Sequence, residues 1–152
     1  MKAIKELAIK TKIRILKPVQ EVYEAVVNPE KMANYFISKG SGRMETGKEL
    51  IWNFPEFDLD VPIMVNKTEP DKYIAYYWDV DAKKHLVEIA LEADGAKATI
   101  VTVTEKGAND NEAGIKWLMS NTEGWANFLA CLKAYLEYGI NLRKGAFDFL
   151  KA

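Results

Sequence analysis

From about residue 43 to residue 106 the apolar residues of this chain recur at a spacing of two, and one long stripe of helical period follows. The segments near 43–46, 48–54, 60–69, 73–79, 84–93 and 97–106 each alternate, which predicts six strands. Turn chemistry separates them: Thr46-Gly47, Pro55 through Asp58, Pro70-Asp71, Asp79 through Ala82, and Asp94-Gly95. Links this short predict antiparallel neighbours.

A seventh strand precedes this block. Residues 7–16 place Leu7, Ile9, Ile13 and Ile15 on one face and Lys10, Lys12 and Arg14 on the other. Pro18 suits a first helical turn, and Val19, Val22, Tyr23, Val26 and Val27 then keep helical spacing until Asn28-Pro29 interrupts it. A second short helix from Pro29 carries Met32, Tyr35 and Phe36 on one side, and Gly40-Ser41-Gly42 stops it.

After Gly107 comes the polar stretch Ala108 to Asn111, and the firm start of the long helix is placed at the capping-box-like Ser120-Asn121-Thr122-Glu123. Trp125, Phe128, Leu129, Leu132, Tyr135, Leu136, Gly139 and Leu142 form one broad stripe. A helix over 122–143 is about 33 Å long at ~1.5 Å per residue. Arg143 and Lys144 would complement its dipole and Gly145 would end it. Residues 112–119 fit either a separate turn or the same helix.

One flat sheet face offers more apolar surface than one helix covers, so a strongly curved sheet gripping the helix is expected, with a residual apolar pocket between them. A single domain over residues 1–152 is expected, since no repeat, linker or low-complexity tract divides it. With 21 basic and 22 acidic residues the formal charge is −1, which argues against nucleic acid or an anionic membrane surface as partner. No apolar run reaches the ~20 residues of a membrane span, so no membrane insertion is expected. The N-terminus alternates charged and apolar residues where a signal peptide needs an apolar run, and Cys131 is the single cysteine. These features predict a cytoplasmic address, and the sequon Asn66-Lys67-Thr68 is then without meaning for glycosylation.

The order strand, two short helices, six strands, long helix resembles the α+β helix-grip fold of START-related and birch-pollen-allergen-like proteins, the SRPBCC superfamily. Asn121-Thr122-Glu123-Gly124-Trp125, Leu129, Leu132-Lys133, Tyr135-Leu136-Glu137 and Tyr77-Trp78 resemble the bacterial branch named for homology to the activator of the ninety-kilodalton heat-shock chaperone's ATPase. Pro18 through Val26 and Asn28-Pro29-Glu30-Lys31-Met32 are similar to that family's opening helices. The resemblance implies a seven-stranded curved antiparallel sheet around the C-terminal helix. It also implies a possible chaperone partner. The activator itself has a further N-terminal domain for which 152 residues leave no room, so co-chaperone activity is not expected.

Candidate chemistry is sparse. Gly42 through Lys48 has the glycine and lysine spacing of a phosphate-binding loop, but Glu49 replaces the Ser or Thr that ligates magnesium, and a strand follows where that loop needs a helix. A turn is expected. His85, the one histidine, sits beside Lys83 and Lys84 and is read as a solvated strand-end residue rather than a catalytic base. Cys131 is read as a small buried hydrophobe. The pairs Asp58/Asp60 and Asp79/Asp81 lack the further oxygen ligands of a calcium loop and are read as turn formers. Glu88 shares a strand face with Leu86 and Ala90, and would be a buried pocket acid if that face lines the cavity.

Aromatic residues carry the strongest signal. Trp52 and Phe54 share one strand face, Tyr76 and Trp78 another, and Trp125 opens the helix stripe. Rings so placed can stack on a ligand while an indole N–H or phenol O–H orients it. The expected function is binding or carriage of a small hydrophobic molecule, such as a lipid, sterol, flavonoid or polyketide-like compound. Its lining would be Trp52, Phe54, Tyr76, Trp78, Glu88, Trp125, Leu129 and Leu132, with Tyr35 and Phe36 at the mouth. No cofactor, metal or catalytic residue is assigned, and a monomer or weak dimer is expected. The rivals are a cyclase- or hydrolase-like enzyme working in the same cavity, with Glu88, His85 or a tyrosine hydroxyl as acid or base, and a chaperone-associated adaptor.

Overall fold

The alternation of the first strand is realised as β1 (Glu6–Ile15), with Ile9 and Ile15 buried and Lys10, Lys12 and Arg14 exposed, in a computed structural model that describes residues 5–151. Helix α1 (Val19–Val27) follows Pro18 and buries Val22, Tyr23, Ala25, Val26 and Val27. Asn28 ends it in extended conformation and at once caps α2 (Pro29–Met32), its side chain accepting from the Glu30 N–H at 2.9 Å. The sheet continues through β2 (Lys39–Gly40), β3 (Glu49–Phe54), β4 (Phe57–Glu69), β5 (Tyr73–Val80), β6 (Lys83–Ala93) and β7 (Thr99–Asn109), and α3 (Glu112–Tyr138) closes the chain apart from a short 3-10 turn (Asp148–Leu150).

The seven strands lie in the order β1-β7-β6-β5-β4-β3-β2, each neighbour antiparallel. The sheet is curved and α3 lies along it, giving an α+β helix-grip fold with two short helices between the first two strands. Asp81 and Ala82, both with positive φ (52° and 62°), make the two-residue turn between β5 and β6, a geometry that matches the right-handed twist of the flanking strands. No helix among the described residues is long and apolar enough to cross a membrane.

Three boundaries differ from expectation. Residues 43–46 are not a strand; Lys39 and Gly40 pair with Asn53 and Trp52 instead. The 43–46 segment is drawn off the sheet onto α1, where the Met44 N–H bonds the Val27 carbonyl and Arg43 pairs with Glu24. The long helix begins at Glu112, so residues 112–119 belong to it, capped by the Asn111 side chain on the Gly114 N–H at 2.8 Å. The Ser120–Glu123 capping signal is overridden, because Trp117, one turn earlier, packs edge-on to His85 at 4.9 Å between ring centroids. At the far end Gly139 takes φ 66° and stops the helix before Arg143, Lys144 and Gly145, so these do not cap it.

Candidate functional site

Period two on β3 and β5 and helical period on α3 bring the large rings to one side of the sheet. Trp52 (β3) meets Tyr76 (β5) at 5.2 Å and Trp78 at 6.4 Å, and Tyr76 meets Trp78 at 5.3 Å, all edge-on. From α3, Trp125 lies 5.7 Å from Trp78, and Phe128 touches Phe36 at 4.7 Å. Phe36 is the hub of this cluster, packing also on Trp52, Phe54 and Trp125.

The expected enclosed pocket between sheet and helix is filled by these rings. A side chain lining a void large enough for water keeps accessible surface even inside a protein. Trp52, Tyr76, Leu129 and Leu132 keep 1%, 0%, 2% and 0%. Among the openings at the surface, the one that these rings border is a cleft of about 380 Å³, lined by Phe36, Phe54, Phe57, Val61, Trp78 and Trp125, with Asp79, Asn121 and Arg143 at its polar edge. Of the residues expected to line a pocket, Phe54, Trp78 and Trp125 border this cleft, while Trp52, Tyr76, Leu129 and Leu132 lie behind it. Phe36 borders it too. Tyr35 does not border this cleft: it is fully buried, donates its hydroxyl to the Ala25 carbonyl at 2.8 Å and stacks on Tyr135, and with Phe36 it backs a separate opening of about 400 Å³ beside Arg143.

Glu88 is on the opposite face of the sheet. In β6 the inward residues are His85, Val87, Ile89 and Leu91, so Glu88 points outward and accepts from the Tyr73 hydroxyl. Burial, reinforced by that carboxylate, pushes the Tyr73 phenol well above its ordinary range. His85 is likewise not solvated. It is 2% exposed, and its Nδ1 donates to Glu105 at 2.9 Å. Cys131 is buried, and desolvation raises its thiol pKa.

The residue that sequence reasoning missed is Glu105 on β7, fully buried at 0% exposure. Its Oε1 accepts from Trp125 Nε1 at 2.7 Å and Asn121 Nδ2 at 3.4 Å, and its Oε2 from His85 Nδ1 at 2.9 Å and Trp78 Nε1 at 3.1 Å. Four donors thus saturate one carboxylate. The signal was present: Thr99, Val101, Val103 and Glu105 share the inward face of β7, so an acid follows two valines at the same period. A second buried acid, Glu56 in the β3–β4 turn, takes two bonds from Arg143 at 3.0 Å each, and the guanidinium lies 5.6 Å over the Phe36 ring.

A curved antiparallel sheet gripping a C-terminal helix, with an aromatic cleft where their ends meet, defines a helix-grip protein. The family model described as Activator of Hsp90 ATPase homolog 1-like protein matches residues 17–137, and the chain belongs to that family. A Staphylococcus saprophyticus protein of known crystal structure is 35% identical, with TM-score 0.78 over 88% of this chain and 94% of that one. DynU16, a protein in the dynemicin biosynthetic locus, is 27% identical with TM-score 0.78, and 88% of this chain matches 48% of that one. The Aha1 dimer from Colwellia psychrerythraea is similar in fold, with TM-score 0.72 at 21% identity over 88% of this chain and 98% of that one. No protein among the curated ones matches the chain.

Proposed function

We propose that this chain binds a flat, largely apolar small molecule in the cleft between β5, the β3–β4 hairpin and α3. The observation that carries the reading is the pair Trp78 and Trp125, which border the cleft while one buried carboxylate holds both indole N–H groups. Trp78, the more exposed of the two, is held against Trp125 without having to be ordered on binding, which lowers the entropic cost of association. Their N–H groups are already occupied, so they contribute stacking and dispersion rather than hydrogen bonds. A volume of about 380 Å³ suits a ligand of a few fused rings or a short lipid-like body.

This reading favours binding or carriage over acid-base catalysis, since the acceptor positions of Glu105 are all taken by protein donors. A chaperone partner is supported only by the family's name. Titration with fluorene, followed by tryptophan fluorescence and native mass spectrometry, tests the proposal. Saturable quenching at one-to-one stoichiometry is expected, and Val61→Arg, which fills the cleft, should abolish it with circular dichroism unchanged. Quenching that does not saturate, or that survives Val61→Arg, would overturn the reading.

A further inference from the structure

The bond from His85 to Glu105 also fixes what the far side of the imidazole can do. Nδ1 donates to the buried carboxylate at 2.9 Å, so in the neutral ring Nε2 carries the lone pair and accepts. The ring is pinned. Trp117 packs edge-on to it at 4.9 Å between centroids, and its Cδ2 lies so close to Gly107 that a Cβ built there would come within 2.6 Å. Nε2 itself makes no hydrogen bond. Among the described residues the buried side-chain atoms that are unpaired and sealed from solvent are Thr11 Oγ1, Trp52 Nε1, the Tyr76 hydroxyl and Trp117 Nε1, and His85 Nε2 is not one of them. It is an unused acceptor that still reaches the surface, in a side chain only 2% exposed.

What His85 borders is an opening of about 130 Å³ at the N-terminus of α3, lined also by Asp81, Lys83, Asn109, Asn111 and Ala113. The first turn of the helix supplies donors there. Its Gly114 N–H is taken by the Asn111 side-chain oxygen and its Ile115 N–H by the Asn111 carbonyl, while the Ala113 N–H has no partner among the described residues. Asp81 and Lys83 border the opening with opposite charges, so the field left over is that of the helix N-terminus, which favours an anion.

We propose that this opening binds a small oxyanion that keeps one hydroxyl, of which hydrogen phosphate is the simplest. Its O–H donates to His85 Nε2, and its charged oxygens accept from the Ala113 N–H, the Asn111 amide and Lys83. The helix N-terminus selects negative charge. His85 selects the hydroxyl, because an anion without one sets its oxygen against the imidazole lone pair. Glu105 is a positioning residue: by holding the Nδ1 proton it keeps Nε2 an acceptor. The site is separate from the aromatic cleft and does not depend on it.

The chain has one histidine, so the imidazole nitrogen resonances of the untagged protein report on His85 alone. Inorganic phosphate added above neutral pH should move the Nε2 resonance saturably, and more than that of Nδ1. Sulfate, a dianion of the same shape with no O–H, should bind about tenfold more weakly, the loss of one hydrogen bond. Dimethyl phosphate has the diester chemistry of a lipid headgroup and no O–H, and it should leave the resonance where potassium chloride of matched ionic strength leaves it. Lys83→Met should weaken phosphate about threefold at unchanged melting temperature. An Nε2 resonance that phosphate does not move, sulfate or dimethyl phosphate binding as tightly as phosphate, or a midpoint that Lys83→Met leaves unchanged would overturn the proposal. Fluorene binding reads the cleft alone, so its failure would leave the oxyanion site intact.

Discussion

A glycine in β7 shows how tightly the buried His85 is held. Gly107 has φ 147°, and a Cβ built on it would lie 2.6 Å from His85 Cδ2 and 2.9 Å from the Lys84 carbonyl oxygen. Neither the strand backbone nor a ring wedged against Trp117 can yield cheaply, so Gly107→Ala should cost about 2–3 kcal/mol in urea unfolding. Glu105→Gln keeps the shape but replaces one acceptor oxygen with a donor, so whichever way the amide turns, one of its two donor pairs faces an N–H. A loss of about 3 kcal/mol is expected in the same experiment, since it strands buried donors. On the surface, Glu24 has its pKa lowered from 4.5, first by the Arg43 hydrogen bond. A folded pKa below the unfolded one means that the contribution is full above the unfolded value and is lost as pH falls through the folded one. Wild-type stability should therefore fall more steeply below pH 4.5 than that of Glu24→Gln, as followed by thermal melts across pH.

Elements end where backbone geometry and packing agree. Gly139 closes α3 in the left-handed region, with the N–H groups of Gly139 and Ile140 returning to the carbonyls of Tyr135 and Ala134. Nothing lies within 4 Å of a Cβ placed there, so Gly139→Ala tests backbone strain alone and should cost about 1 kcal/mol in thermal denaturation. Gly114 in the first turn of α3 is the opposite case. It has no positive φ, yet a Cβ there would sit 1.9 Å from the Asn109 carbonyl oxygen. Close approach of helix to strand, not conformational freedom, requires that glycine.

Across the whole molecule, the segment after α3 folds back over the β3–β4 hairpin and is held by Arg143 on Glu56. The two side chains are 14% and 2% exposed, so removing Arg143 alone leaves a buried carboxylate without its cation. Arg143→Met should cost about 3–5 kcal/mol, and adding Glu56→Gln should return part of that loss in a double-mutant cycle read by chemical denaturation. The same arginine borders the cleft, so the single variant should also weaken fluorene binding. At this same C-terminal end of α3, Lys133 reaches the Arg14 carbonyl and Glu137 accepts from the Leu16 N–H, which fixes the helix to the end of β1.

The sequence by itself determined the element order, the antiparallel meander and the identity of the rings, because alternation, turn residues and helical stripes are local signals. It located the long helix and both short ones, and it named Phe36, Phe54, Trp78 and Trp125 but not Phe57 among the rings that border the cleft. Its failures share one cause. The edge strand moved to Lys39 and Gly40 because Met44 found a better partner in α1. The helix began before its capping signal because Trp117 found His85, and Glu88 and His85 exchanged expected environments because the register of β6 is set by its partners. Only the tertiary structure decided that Glu105 gathers two indoles, an imidazole and an amide, since those donors come from four positions on β5, β6 and α3. It also decided that the interior is packed with rings and the opening lies at its edge, because packing depends on which side chains meet across sheet and helix, and that is not a property of any one segment.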